Sequence, residues 1–223
     1  MANYESADGA PWFIYRNKIL NLVLDEELKS IGGYAFCGFS NLTEVNIPNS
    51  VTSIGQYAFA GSGLTSVTIP NNVTSIDMYA FAGCPGLTSV IIPTSVTTIG
   101  VGAFQFCCSL TSVTIPHSVT SLGTQAFCDC TSLSSVSISN SMKSISDYSF
   151  YGCHSLSSLT IGNSVETIGV DAFVECRNLT SVNIPNSVKV ILEQAFWGCN
   201  GLTSITIPNG VTNINKQAFY GCI

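Results

Sequence analysis

Apolar residues return along the chain in one fixed order. A Leu is followed by two polar residues, Val, one polar residue, Ile and Pro, then by a second Val, Ile-Gly and Ala-Phe. An Ala-Phe or Ser-Phe pair ends at Phe36, Phe59, Phe81, Phe104, Phe127, Phe150, Phe173, Phe196 and Phe219. The stride is 23 residues throughout, except for one step of 22 between Phe59 and Phe81. The missing residue falls at Gly61-Ser62-Gly63. A fixed stride of this length is the mark of stacked repeats. The opening Leu recurs at Leu42, Leu64, Leu87, Leu110, Leu133, Leu156, Leu179 and Leu202, while Ile19, Leu22, Leu24, Leu28 and Ile31 fit the frame as a degenerate first unit. Units therefore begin at 19, 42, 64, 87, 110, 133, 156, 179 and 202.

Within a unit, Leu, Val and Ile alternate with polar residues at the period of a half-buried strand. Pro48, Pro70, Pro93, Pro116, Pro185 and Pro208 follow these strands. Lacking an amide hydrogen, each ends the ladder. Ser139 and Gly162 take that place in two units. The next stretch, S-V-T-S-I-G-x-x-A-F, keeps apolar residues at offsets that predict a short helical or 3₁₀ turn, too short to stand alone. About seven inward side chains per unit contribute roughly 10–20 kcal/mol on burial. Ordering the unit's backbone costs roughly 23–46 kcal/mol. A single unit therefore folds only between neighbours. The predicted architecture is a right-handed α/β solenoid. It has a parallel sheet on the concave side, short 3₁₀ or helical turns on the other, and about nine rungs spanning roughly 40 Å.

Composition narrows the functions this frame can serve. Charged residues are 9% of the chain and the net charge is −6, against about a quarter charged in an ordinary soluble domain. Ser and Thr, 50 in all, take over much of the surface. The seven basic residues are scattered singly, so there is no patch for nucleic acid or an anionic membrane. No apolar run approaches the ~18 residues of a transmembrane segment. The opening MANYESADGAPW lacks the basic and apolar regions of a signal peptide.

The pattern LxxVxIPxxVxxIGxxAFxGC closely resembles the BspA-like (Treponema-type) leucine-rich repeat. The resemblance covers residues 19–223, with period, Ile-Pro, Ile-Gly, Ala-Phe and Cys all in place. Residues 1–18 look like the N-terminal cap that such proteins place before the array, and no C-terminal cap follows it. The resemblance implies an extracellular or cell-surface protein. It further implies adhesion to a host matrix protein, another cell or a glycan, and that this chain is a piece of a larger modular secreted protein. The rival expectation is a structural spacer or stalk with no ligand of its own.

Two outward strand positions per unit make a candidate ligand-binding face. The first lane holds Glu44, Ser66, Ser89, Ser112, Ser135, Ser158, Ser181 and Ser204. The second holds Asn46, Thr68, Ile91, Thr114, Ser137, Thr160, Asn183 and Thr206. These small hydroxyls suit a protein surface or a glycan, yet they are also what a tightly stacked, solvated sheet tolerates. The lanes lack the Trp, Tyr and Arg that usually dominate interfaces. Variable positions around the Ala-Phe turn carry Tyr34, Tyr57, Met78, Tyr79, Phe106, Tyr148, Tyr151, Trp197 and Tyr220, which either anchor a partner or cover gaps between turns. Trp12 and Phe13 are expected to plug the N-terminal end of the core. Asp25, Glu26, Glu27 and Glu44 form a solvated acidic cluster or, as the lesser reading, a cation site.

Seven cysteines, Cys84, Cys107, Cys130, Cys153, Cys176, Cys199 and Cys222, occupy one position three after Phe. They are expected to form a reduced, buried column. Cys37, Cys108 and Cys128 lie off it and are the candidates for oxidation. Their spacings are not those of a zinc site. His117 and His154 fall on different edges of a unit, and there is no phosphate loop or serine-hydrolase elbow. Asn41, Asn72 and Asn178 make N-x-T sequons as a by-product of the repeat. The expectation is a non-catalytic module with no cofactor and no metal, and with a protein or glycan partner. Phe219-Tyr220-Gly221-Cys222-Ile223 leaves the last rung uncovered, which predicts an exposed apolar end open to self-association.

Overall fold

A computed structural model describes residues 1–222. Three-residue strands alternate with two-residue strands along the chain, from Asn21–Val23 and Ser30–Ile31 to Ser204–Thr206 and Asn213–Ile214. All their pairings are parallel. Each residue pairs with its counterpart one coil on, as Val67 with Val90 and Ile54 with Ile76. Nine wide strands thus form one face of a solenoid and nine narrow ones a second. The 22-residue step falls in the loop at Gly61-Ser62-Gly63. At Gly63 a Cβ would lie 2.2 Å from the Ser40 carbonyl oxygen, and at Gly201, the same place in a full-length coil, it would lie 2.3 Å from the Arg177 carbonyl oxygen.

The core is a set of columns. Leu64, Leu87 and Leu110 are fully buried, as are Val73, Val96 and Val119. The Phe rings stack along the axis with centroids 5.2 to 5.6 Å apart from Phe36 to Phe219. Offset stacking of this kind adds about 0.5–1.5 kcal/mol per pair beyond burial. The prolines do more than end the wide ladder. The carbonyl of each accepts the amide three residues on, as Val73 to Pro70 and Val96 to Pro93, which turns the chain toward the narrow strand.

The turn predicted as helical departs from expectation. The 3₁₀ segments are Ala7–Gly9 and Phe13–Tyr15, both before the array. Around Ala-Phe, backbone amides alternate between two partners. Ala58, Ala60 and Ser62 donate three residues back to Gly55, Tyr57 and Phe59, while Tyr57, Phe59 and Gly61 donate to Met78, Ala80 and Ala82 of the next coil. The alternation needs positive φ twice per coil, here at Tyr57 (55°) and Gly61 (67°). A helix holds no such residue. Apolar spacing alone does not distinguish a helical turn from a chain of β-turns bonded to a neighbour.

Residues 1–16 lie against the first coil. The Met1 amino group donates to the Ser30 carbonyl and the Tyr4 amide to the Gly33 carbonyl. Trp12 stacks on Phe36 at 5.8 Å and donates from Nε1 to the Ala35 carbonyl. At the other end, Ile207, Ile214 and Tyr220 are exposed where their counterparts in earlier coils are covered. Ile223 lies outside the described residues.

Candidate functional site

Hydroxyl side chains divide into two groups by what they touch. The Thr or Ser just before most wide strands caps the ladder. Thr65, Thr88, Thr111, Ser134 and Ser157 each donate to the backbone carbonyl of the same position one coil back, at 3.0 to 3.3 Å. Ser50, Ser95 and Ser187, beyond the Pro turn, donate instead to the carbonyls of Leu28, Val73 and Val165, one residue past their own position in the coil before. Thr in L-T-S-V is therefore a structural residue, a role the repeat pattern did not reveal.

The two outward lanes behave differently. Their side chains point into solvent in every wide strand, with Ser135 alone half-buried. Pairing of Asn21 with Glu44 and of Val23 with Asn46 extends the lanes one coil further, a continuation hidden by the degenerate first unit. Ile91 interrupts the second lane with an exposed apolar side chain. None of the lane hydroxyls is tied up in the side-chain hydrogen bonds that cap the ladders, so they remain available to an outside group.

The lane border opens where Ser139 and Gly162 replace proline. A groove of about 580 Å³ lies there, lined by His117, Ser137, Ser139, Asn140, Thr160, Asn163 and Asn183 among others. The Asn163 amide donates to Asn140 Oδ1 at 2.6 Å across its floor. A second hollow of about 390 Å³ sits by Glu44, Asn46, Asn49 and Thr68. Both join the lanes, and both mix hydroxyls and amides with apolar side chains, Ile138 and Ile161 in the first and Val45, Ile47 and Pro70 in the second.

The turn side bears the aromatic residues. Tyr34, Tyr57 and Tyr79 stack ring on ring at 4.8 Å, and all three hold positive φ. This rail ends at Gly102, whose place lies under the Tyr79 ring. Tyr148, Tyr151 and Trp197 gather with Asp171, Val174 and Gln194 around a separate hollow. Asp171, Val174 and Gln194 were not legible as site residues. The signal for Asp171 and Val174 is a break in the column, a coil with short side chains between coils with aromatic ones; Gln194 shares the coil of Trp197 and has no such signal.

The thiol column is buried from Cys84 to Cys199. Each of Cys107, Cys130, Cys153, Cys176 and Cys199 donates from Sγ to the Phe carbonyl 26 residues back, at 3.1 to 3.4 Å. Ser62 fills the slot in the second unit and pairs with Cys84 Sγ at 3.1 Å. Burial pushes the Cys130, Cys153 and Cys176 thiols far above the ordinary range. All ten thiols are unpaired, Cys108 and Cys128 included. Cys108 Sγ turns to the Asp129 carbonyl and Cys128 Sγ to the Asp129 carboxylate.

The Glu27 amide donates to Asp25 Oδ1 in a tight exposed turn, which accounts for part of the acidic cluster. His154 contacts the Glu175 carbonyl, whereas His117 lines the lane groove, so the two imidazoles serve different faces. Among the described residues, no three His, Cys, Asp or Glu side chains converge as a metal set would. No helix there is long and apolar enough to cross a membrane.

A family profile described as BspA type leucine rich repeat region matches residues 9–133 and 102–223, with six copies. Among solved structures, the chain is similar to the T. pallidum leucine rich repeat protein. Identity is 34% over 73% of this chain and 79% of that one, with a TM-score of 0.69. It shares its fold with a leucine-rich repeat protein from Eubacterium ventriosum, at 22% identity over 99% of this chain and 88% of the other, TM-score 0.62. The same holds for the pneumococcal vaccine antigen PcpA, at 21% identity and TM-score 0.60, of which the chain spans 63%. No curated protein sequence matches the chain.

Proposed function

Because the chain belongs to the BspA-type leucine-rich repeat family, we propose that it is a non-catalytic adhesion module of a cell surface. It would bind a matrix protein, another cell or a glycan through its wide-strand face. One observation carries this reading: two lanes of solvent-facing hydroxyls, free of structural hydrogen bonds, run into grooves of mixed polar and apolar lining at Ser139–Asn163 and Glu44–Thr68. An extended face of this kind suits an extended partner, and the scarcity of charge leaves shape and hydroxyl hydrogen bonding to set specificity. Residues 1–18 would serve as the cap of the array over 19–223, a role supported by the stacking of Trp12 on Phe36. End-to-end self-association is the finer reading of the exposed Ile207, Ile214 and Tyr220. Sedimentation as a monomer at every concentration tested removes it.

The test is binding to immobilised matrix proteins, whole cells and glycans, with wild type and a Thr114→Arg, Thr160→Arg variant. Both residues are exposed on the second lane, so the variant is expected to keep its thermal midpoint and lose binding. A folded wild type that binds none of them favours the spacer reading.

A further inference from the structure

Two columns flank the buried Phe column on the turn side, one two residues before each Phe and one directly after it, and in the coil of Phe173 both members, Asp171 and Val174, are buried. Around Phe150 they hold Tyr148 and Tyr151, around Phe173 Asp171 and Val174, and around Phe196 Gln194 and Trp197. These six residues line a hollow of about 330 Å³ that is open to solvent. We infer that this cavity is a binding site for one neutral pyranose ring, seated over Val174 between the Tyr151 and Trp197 side chains and hydrogen-bonded by Tyr148, Asp171 and Gln194. The site lies away from the wide-strand lanes and stands independently of the adhesion reading.

Spacing comes first. Gly152 donates its amide to the Val174 carbonyl at 2.9 Å and Glu175 to the Trp197 carbonyl at 2.8 Å, which holds Tyr151, Val174 and Trp197 in file. Two steps of roughly 4.8 Å put Tyr151 and Trp197 about 10 Å apart along the axis. Aromatic faces make contact at roughly 4.5–7 Å between ring centres, so one flat ring midway touches both. Where large rings follow in every coil the slot closes, as in the stack of Tyr34, Tyr57 and Tyr79 at 4.8 Å. Here the short Val174, itself buried beneath its neighbours, leaves a hollow between the larger side chains.

The walls are braced. Tyr220 stacks on one face of Trp197 at 6.3 Å, and Tyr148 packs on Tyr151 at 6.1 Å. Trp197 is thus held by a neighbour on the side away from Val174.

The polar groups select the ligand class. Asp171 is 8% exposed. Burial pushes its carboxyl up while hydrogen bonding to Tyr148 pulls it down, and burial is the larger effect. A carboxylate accepts several hydrogen bonds and donates none, so it wants a ligand rich in hydroxyl donors. Gln194 donates to Gln217 Oε1 at 3.2 Å, which leaves its own amide oxygen free to accept. No Lys or Arg lines the cavity, and Asp147 and Glu193 add negative charge beside Asp171. Anionic sugars are therefore repelled, and a bare aromatic side chain would leave Asp171 and Gln194 without partners.

The chain has two tryptophans, and Trp12 is stacked on Phe36 at the far end of the array. Titration of the whole chain with glucose, galactose, mannose, N-acetylglucosamine and their short oligomers, read by tryptophan emission and by saturation-transfer NMR, tests the proposal. At least one sugar is expected to saturate the emission change. Trp197→Ala and Asp171→Asn should each weaken it roughly tenfold, the loss of one stacked ring or one charged hydrogen bond, while Glu5→Gln, exposed at the far end of the chain, leaves it unchanged. Val174→Phe fills the slot from the middle coil and should abolish binding with both walls present, a control should Trp197→Ala fail to fold. Silence from every sugar, undiminished binding by the folded variants, or saturation by an aromatic peptide instead of a sugar overturns the proposal.

Discussion

Replacing Phe104 by Ala probes the stacking that holds the array together. Phe104 is fully buried, with Phe81 at 5.4 Å on one side and Phe127 at 5.3 Å on the other. Truncating a buried Phe costs about 3–5 kcal/mol. The upper end applies here, because the flanking rings cannot close the hole. Phe81 is tied to Ala103 and Phe104 to Ala126 by 2.8 Å backbone bonds that fix the coil spacing. Phe219 makes the reference. It is half-buried, with one ring neighbour, Phe196, at 5.4 Å. Its truncation should cost about half as much, roughly 2 kcal/mol. Urea unfolding followed by circular dichroism measures both. Because each coil touches only its neighbours, the Phe104 variant should also unfold less cooperatively, with a smaller m-value. Equal costs at the two positions, or a cost at Phe104 below about 2 kcal/mol, would refute the nearest-neighbour argument.

Four further outcomes are expected. Ser149 replaces the Ala of the other coils and its buried hydroxyl has no hydrogen-bond partner, so Ser149→Ala should raise stability by about 1 kcal/mol and lift the thermal midpoint. Gly63→Ala, with its Cβ 2.2 Å from a backbone oxygen, should destabilise by more than about 2 kcal/mol. Gly38→Ala, which meets nothing within 4 Å but holds a φ of 76°, should cost only about 1 kcal/mol; calorimetry separates the two. Cys130→Ala loses the bond to the Phe104 carbonyl and should cost about 1–2 kcal/mol, whereas Cys130→Ser, following Ser62, should cost less in the same urea assay. Burial, then the adjacent Asp129, raises the Cys128 thiol from 9.0 to about 12. The unfolded chain therefore loses this proton first, and stability present below pH 9 falls as pH rises toward 12. Cys128→Ser should remove its own share of that decline in unfolding midpoints measured across the range, the raised Cys130, Cys153 and Cys176 thiols keeping the rest.

Much of the molecule was legible in the stride. Leu64, Leu87 and Leu110 share a column because they share a phase, and the strand, the Pro turn and the buried thiols follow from the same count. The helical turn was misjudged because one apolar spacing serves both a helical turn and a chain of β-turns, and only the amide partners decide between them. The lanes were readable from alternation, but not the separation of capping Thr65 and Thr88 from free Ser66 and Ser89. That depends on which hydroxyl reaches a carbonyl one coil back.

Periodicity by itself determined the solenoid, its register and its core, since identical phase forces identical side chains to stack. Only the tertiary structure decided where the surface hollows. Ser139 beside Gly162, and Val174 between Tyr151 and Trp197, look like ordinary lapses in a repeat. Stacked about 5 Å apart, each lapse becomes a hollow, because a missing side chain is felt by the coils on both sides of it.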